Sequence, residues 1–460
     1  MSWMEPGNDV LAQRRENPVR DALDRSGLYH SFRMPDGEVL RGAMPMEELE
    51  NRAMALGLPA DLTGHRVLDI GPWDGYFAFE MERRGADVTA IDYADLDSFR
   101  ALHRATASRV QYRRMDIYEL DTARDGLFDI VLCLGVLYHL KHPLLGLEKV
   151  CAVTLDRCII DSFVIDGEPW QQGARTPLPY LEFYERDELG GQLDNWYGPT
   201  VSAVEGLVRA AGFASAEVLR VTGKTAIVAA HRSWKNLPPI EREPVKLVAL
   251  NCHSHPGRYF QSQKEEYIVL WCDWPEAKAP PVSAVFPEVN GLGTAPISCT
   301  LTAEGLQIQL RVPPGLSPGQ HAVRVKIGNA GWSDPQDFFL DLPATGQPLE
   351  LIAAQDGVLG HAGEVDWAAG GWLTLWADGL SAEADPGNTI AEIDGVPHFP
   401  EGVYPSSGQV NVRLRRVILA GRSQVRLFHR GQSSHARTIT VKGEAPPIPG
   451  LERPGLQYRK

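Results

Sequence analysis

The sequence predicts a doubly wound α/β domain followed by two all-β sandwiches, on three observations. Between residues 61 and 235, short apolar runs alternate with helix-period stretches, the pattern of a largely parallel sheet with helices outside it. After Trp234 helical periodicity largely stops, and short alternating runs punctuated by Gly, Pro, Asn and Ser take over. Those later runs also repeat: residues 306–312 match 408–414 in pattern, and 319–325 match 421–427 in the same register.

Taken in order, residues 1–60 read as a helix-and-loop cap, with a turn at Pro35-Asp36-Gly37 and a helical pattern over 46–56. The α/β domain, 61–235, has expected strands at 66–70, 87–92, 111–115, 128–133, 157–162 and 226–231. Helices over 75–84 and 201–211 are stopped by Gly85 and Gly212. Asn236-Leu237-Pro238-Pro239 opens a linker. The first sandwich is expected over 236–343 and the second over 344–445, parting near 343–348, with a proline-bearing tail at 446–460. Within them, strands are expected at 306–312, 322–327, 372–376, 409–414 and 424–428.

Composition narrows the function classes. The chain has 460 residues, 43% hydrophobic and 23% charged, enough for several domains with their own cores. Its net charge of −14 opposes a broad nucleic-acid footprint. No apolar run is long enough to span a bilayer, and Met-Ser-Trp-Met-Glu-Pro has neither the basic nor the apolar region of a signal peptide. Six irregularly spaced cysteines make no disulfide framework. The expectation is a cytoplasmic protein.

The strongest chemical signal is Val67-Leu68-Asp69-Ile70-Gly71-Pro72-Trp73-Asp74-Gly75-Tyr76. An apolar strand enters a glycine turn and a helix follows at once, so backbone can approach a nucleotide-like ligand at the carboxyl edge of a sheet. The dinucleotide pattern G-x-G-x-x-G is absent. A second strand ends in Asp92, followed by Tyr93, where a carboxylate can accept both hydroxyls of a ribose. Asp116 and Ile117 follow the third strand, placed for an adenine. Leu134 and the run Gly135-Val136-Leu137-Tyr138-His139 close the fourth.

These motifs resemble the D-x-G-x-x-x-G turn of adenosylmethionine-dependent methyltransferases. Four blocks in order sharpen the resemblance: Asp61-Leu62-Thr63-Gly64 ahead of the glycine motif; Gly135–His139 with Pro143 after it; Val164-Ile165-Asp166-Gly167-Glu168; and Asn195-Trp196-Tyr197 with the helix ending Ala211-Gly212-Phe213. From Asp61 to Phe213 the chain resembles the class I branch that holds the tRNA wobble-uridine carboxymethyltransferases and their small-molecule relatives. The resemblance implies a Rossmann-like domain binding S-adenosylmethionine (SAM), framed by Asp69, Gly71, Trp73, Asp74, Gly75, Asp92, Tyr93, Asp116 and Ile117, with Leu134 and Tyr138 beside the sulfonium. The carboxymethyltransferases hold a carboxylated SAM with a lysine ahead of the first strand and an arginine after the N-x-Y block. This chain has no lysine between residues 1 and 140. A carboxylate without a cationic partner is costly to desolvate, so ordinary SAM is expected.

Methyl transfer is an in-line displacement that needs the acceptor aligned, and a base when the acceptor sheds a proton. His139 is the expected base and Asp161, at the end of the next strand, a second candidate for which a helix-capping or structural role weighs more; Tyr138 is an orienting group, and Trp196, Tyr197 and Asp161 are the expected acceptor residues. The expected acceptor is a small molecule or a carrier-linked sugar or metabolite, because lysine is missing ahead of the first strand and residues 1–240 hold 26 Lys and Arg against 36 Asp and Glu. A tRNA modifier and a non-catalytic SAM-binding scaffold are the alternatives. Cys252-His253-Ser254-His255 is a weak metal signal, and no metal is expected. Cys133, Cys151 and Cys158 read as core thiols, and Trp372 and Trp376 as core side chains sharing one strand face. The second repeat resembles bacterial Ig-like domains of the IPT/TIG type, which implies a homodimer contact or a protein partner through the sandwiches.

Overall fold

The computed structural model describes residues 27–166, 177–253, 258–262, 264–303, 305–341 and 348–445. Gly167 and Glu168 of the V-I-D-G-E block, Ser254, His255 and the expected tail lie outside them. The chain forms two compact units, the first built mainly on residues up to Leu237 and the second mainly on those from Pro238.

The first unit opens with a short hairpin, β1 (Phe32–Arg33) and β2 (Val39–Leu40), turned at Pro35-Asp36-Gly37, where the Asp36 carboxylate accepts the Glu38 N–H. Helix α1 (Met46–Ala55) follows. Then strands and helices alternate: β3 (Arg66–Ile70), α2 (Tyr76–Arg83), β4 (Asp87–Asp92), α3 (Asp97–Ala105), β5 (Gln111–Arg114), α4 (Thr122–Asp125), β6 (Phe128–Leu134), α5 (Pro143–Val153) and β7 (Thr154–Phe163). A small pair, β8 (Leu181–Phe183) and β9 (Tyr197–Pro199), precedes α6 (Val201–Ala210) and the hairpin β10 (Ser215–Thr222) and β11 (Thr225–His231).

The main sheet has seven strands in the order β10-β11-β7-β6-β3-β4-β5. From β7 to β5 neighbours are parallel, while β11 and β10 run antiparallel. The chain leaves central β3 for β4 and β5, then returns to β6 on the other side, so the strand order reverses between β3 and β6. Ligands of open α/β sheets bind at the carboxyl ends beside such a reversal. Side-chain alternation supplies two cores. Leu68, Val131, Cys133, Cys158 and Ile160 pack with Leu147 and Val150 of α5 and Val204 and Val208 of α6. Val67, Ala90, Leu132, Ile159 and Ile227 pack with Leu49 of α1, Met81 of α2 and Phe99 of α3.

The second unit holds two β-sandwiches of the same plan. In the first, β12 (Leu247–Cys252), β14 (Tyr267–Cys272), β18 (Gly305–Arg311) and β17 (Pro296–Thr302) form one sheet. β13 (Tyr259–Phe260), β20 (Gln336–Leu340), β19 (Gly319–Ile327), β15 (Val285–Val289) and β16 (Leu292–Gly293) form the other, and both sheets feed one core around Leu270, Ile308, Val325 and Phe338. The second sandwich pairs β21 (Glu350–Asp356), β23 (Trp372–Asp378), β27 (Gln409–Arg413) and β26 (Pro400–Tyr404) with β22 (Glu364–Asp366), β30 (Arg437–Lys442), β28 (Gly421–His429), β24 (Thr389–Ile393) and β25 (Val396–His398); β29 (Gln432–Ser433) pairs with β28. Pairing is antiparallel except for one edge strand in each, β13 on β20 and β22 on β30.

The internal repeat extends to individual bonds. Asn290-Gly291 and Asp394-Gly395 each turn a two-residue hairpin with both residues at positive φ. The Asn290 and Asp394 side chains each accept a backbone N–H of the next long strand, from Ala322 at 3.0 Å and Gln424 at 2.8 Å. Ser333 and Ser434 hydroxyls take the N–H groups of Val325 and Leu427. Arg324–Glu288 and Arg426–Glu392 occupy the same place in the two copies.

One expectation about this region is overturned. Trp372 and Trp376 do share a strand face, but Leu373, Leu375 and Ala377 between and beyond them fill the core, so both indoles lie half-buried on the outer face. Arg413 covers Trp372 there, and the buried indole of this sandwich is Trp367. Cys252 is buried in β12 and His253 Nδ1 accepts the Tyr267 N–H, which spends it on the strand pair. Cys133, Cys151 and Cys158 are buried thiols, each pushed up by burial first.

Candidate active site

The glycine turn between β3 and α2 is built from three residues in the left-handed region: Gly71 (φ 65°), Trp73 (φ 54°) and Gly75 (φ 94°). A Cβ on Gly71 would meet Val136 Cγ2 at 2.7 Å, and one on Gly75 would strike the rings of Phe79 and Phe99. Trp73 pays a steric penalty for its conformation, and its backbone N–H is one of the donors directed at Asp92. Its indole is half-exposed beside Tyr29.

Strand parity places Asp69, Asp92, Leu134 and Asp161 at the carboxyl ends of four neighbouring strands, on the face covered by α1, α2 and α3. Asp69 is buried, and its Oδ2 has no hydrogen-bond partner among the described residues. Burial, then the neighbouring Asp92 charge, pushes its carboxyl up to about 8, against the pull of the Ala78 N–H in the first turn of α2. Asp92 is also raised by burial, opposed by the N–H groups of Ala94, Trp73 and Tyr93. Two buried carboxyls beside one another, with the Asp69 Oδ2 orphaned and no basic side chain acting on either, form a site short of positive charge.

The other expected cofactor residues are placed as follows. Tyr93 is exposed at the end of β4. Asp116 caps the short 3₁₀ turn Ile117–Glu119, accepting the Tyr118 N–H at 3.0 Å, and Ile117 is buried. Asp74, also expected in the cofactor frame, has its Oδ1 without a hydrogen-bond partner among the described residues, like the Asp69 Oδ2. It is fully buried, and its Oδ2 accepts the N–H groups of Tyr29 at 2.6 Å and His30 at 3.0 Å. Asp74 thus ties the segment ahead of α1 across the glycine turn.

On the acceptor side, Gly135 donates its N–H to the Asp161 carbonyl at 2.7 Å, joining the end of β6 to β7. Tyr138 is pushed up to about 12 by burial, with Tyr29, Asp161 and Asp194 adding and Arg52 opposing. His139 Nδ1 lies 3.1 Å from the Asp194 carbonyl and 3.6 Å from its carboxylate. Trp196 donates its N–H to the Tyr138 carbonyl at 2.8 Å, its ring lies under Lys141 Nζ, and Tyr197 Oη donates to the Lys141 carbonyl. Asn195 behind them is buried with its Oδ1 unpartnered among the described residues. The blocks around 138 and 196 therefore meet, as their separate signals suggested.

Sequence reasoning missed Arg52. It reaches from α1 to an ion pair with the nearly buried Asp161. No local motif marks the pair, because the partners stand 109 residues apart. His30 was missed as well: it is buried, and burial followed by the Arg52 charge lowers it to about 4.

The fold and this edge define a nucleotide-cofactor site of the methyltransferase kind, and comparison with known proteins agrees. Residues 68–155 match the family described as "Methyltransferase domain", and the region is a SAM-dependent methyltransferase domain. Over 170 residues the chain is 32% identical to a tRNA U34 carboxymethyltransferase of Sulfurovum sp., covering 35% of this chain and 52% of that protein. Over 88 residues it is 39% identical to a ubiquinone biosynthesis O-methyltransferase of Bordetella avium, covering 19% and 36%. The chain thus spans about half, or less, of the length of these curated relatives. Among solved structures, the N-terminal domain of EvdMO1 with SAH and D-fucose is 20% identical, covering 47% of this chain and 96% of that one, with a TM-score of 0.38.

Proposed function

We propose that this protein transfers the methyl group of ordinary SAM to a small-molecule or carrier-linked acceptor. The observation that carries the reading is the buried Asp69–Asp92 pair at the strand-order reversal, with the Asp69 Oδ2 orphaned. An ammonium group such as that of the SAM methionine end supplies both the missing donor and the missing charge. In this reading Asp92 accepts the ribose hydroxyls, and Gly71 leaves room where any Cβ would collide with Val136. Tyr93, Asp116, Ile117 and Leu134 complete the adenosyl frame in this reading, with Tyr138, His139, Trp196 and Tyr197 on the acceptor side. When bound, SAM supplies an electrophilic methyl; the chain's own residues orient the acceptor and exclude water.

The relatives whose printed names say tRNA U34 keep a tRNA acceptor as the second reading. Against it stand the acidic balance of residues 1–240 and the absence of lysine through residue 140. Equilibrium binding of methyl-labelled SAM tests the site. Asp92→Ala is expected to weaken it by about 1–3 kcal/mol, the cost of leaving buried polar groups unpaired. Unchanged affinity would remove the ribose assignment.

A further inference from the structure

Next to the proposed cofactor edge, on the same face of the sheet, lies a cleft of about 400 Å³, within the size range of small-molecule sites. Helix α1 lines it with Glu48, Asn51 and Arg52, and the strand side with Asp161, Thr222 and Thr225. Its apolar side chains are Pro45 and Ile227, and with the aliphatic stems of the polar residues the apolar surface exceeds the polar. Asp161 joins the cleft to the transfer edge. It is the register partner of Leu134, its carbonyl holds Gly135, and its charge and that of Arg52 are both felt at Tyr138.

The lining selects a ligand chemistry. An aromatic or acyl acceptor would cover the Glu48 carboxylate and the Asn51 amide without offering either a partner, while Asp161 keeps Arg52, the Thr222 hydroxyl accepts from Arg220 and the Thr225 hydroxyl donates to the Thr222 carbonyl. A polyanion meets Glu47, Glu48 and Asp161, and a polycation meets Arg52 and Arg220. A neutral ring bearing several hydroxyls suits all of them, because each hydroxyl both donates and accepts, and its C–H face suits Ile227 and Pro45.

Resting on the methyl-transfer reading, we propose that this cleft is the acceptor site, that it takes a neutral sugar, and that Asp161, held by Arg52, is the catalytic residue receiving the proton of the reacting hydroxyl. The hydroxyl oxygen forms the new O–C bond as the methyl–sulfur bond breaks, the electron pair of that bond neutralises the sulfonium, and the hydroxyl proton passes to the Asp161 carboxylate. Three observations suit Asp161 to this task. It sits at the strand end beside Leu134, the Arg52 pair fixes its orientation, and its carboxyl is raised by burial against the pull of Arg52 and Arg220. Tyr138, His139, Trp196 and Tyr197 do not line this cleft, so Asp161 is the base candidate that faces it.

The test uses the full chain saturated with SAH and saturation-transfer NMR with a set of methyl hexopyranosides and 6-deoxyhexopyranosides, with catechol and benzoate as comparison probes. Glycoside signals are expected to saturate, and Asn51→Leu, at an exposed position of α1 that lines the cleft, to abolish them while SAH affinity stays. In single turnover with SAM and the glycoside that binds, Asp161→Asn is expected to cut transfer by about 100-fold or more, with SAH affinity retained. Transfer at the wild-type rate in Asp161→Asn, or catechol or benzoate binding in place of the glycosides, overturns the proposal. Intact SAH binding with no glycoside bound overturns it alone, whereas a chain that binds no SAH overturns the methyltransferase reading as well.

Discussion

Asp69 and Asp74 stand five residues apart, each with one carboxylate oxygen unpartnered among the described residues, and Asp74 alone also holds the segment ahead of α1. The Asp69 carboxyl, raised to about 8 from 3.8, binds a proton in the folded chain that the unfolded chain has lost between those values. Its linkage term therefore favours the folded state at low pH and fades as pH rises toward 8. An ammonium beside Oδ2 reverses the preference and ionises the carboxyl. SAH binding at pH 7 is thus expected to release a proton, visible as a binding enthalpy that differs between phosphate and Tris buffers, and Asp69→Asn to erase the difference. A buffer-independent enthalpy in the wild type would place the ammonium elsewhere. Asp74→Ala strips the Tyr29 and His30 N–H groups of their acceptor, at a cost of about 1–3 kcal/mol for each orphaned group. Urea unfolding should show the loss, and limited proteolysis between residues 27 and 45 should accelerate; a midpoint equal to wild type would show that Asp74 does not anchor the strap. Both aspartates were visible in the sequence as members of one turn. Their division of labour was not, since the strap that Asp74 holds returns from 44 residues upstream.

Elements were legible wherever burial is one-sided or complete. The strands β3, β4, β6, β7 and β11 are apolar runs and stand within a few residues of expectation. β10 was not foreseen, because this edge strand has no fully buried residue and so shows no apolar pattern. The outer-face indoles Trp372 and Trp376 misled for the converse reason: large apolar side chains suggested a core that the smaller Leu373 and Leu375 fill. Among connections, the turn from β3 to α2 tolerates side chains poorly. Gly71→Ala combines an unfavourable φ with a 2.7 Å contact to Val136, which closes the distance between the β3 and β6 loops. It is expected to lower SAM affinity about 10-fold or more while the far-UV circular dichroism of the two sandwiches persists. Wild-type affinity in this variant would show that the turn does not frame the cofactor.

At the scale of the whole molecule, a methyltransferase domain and a duplicated sandwich share one acidic chain of net charge −14. The duplication was legible as a repeat of alternating runs, and the structure carries it down to matched hairpins, serine bonds and Arg–Glu pairs. The acceptor cleft was not legible, because its two sides, α1 and the β10–β11 hairpin, come from opposite ends of the first unit. No helix among the described residues is long and apolar enough to cross a membrane. The central claim, ordinary SAM at the Asp69–Asp92 edge, is tested most directly by calorimetric titration of the full chain with SAM, SAH and carboxylated SAM. The account predicts one site of micromolar affinity for SAM and SAH and weaker binding of the carboxylated form. Preference for the carboxylated form, or no binding of any of the three, would contradict it.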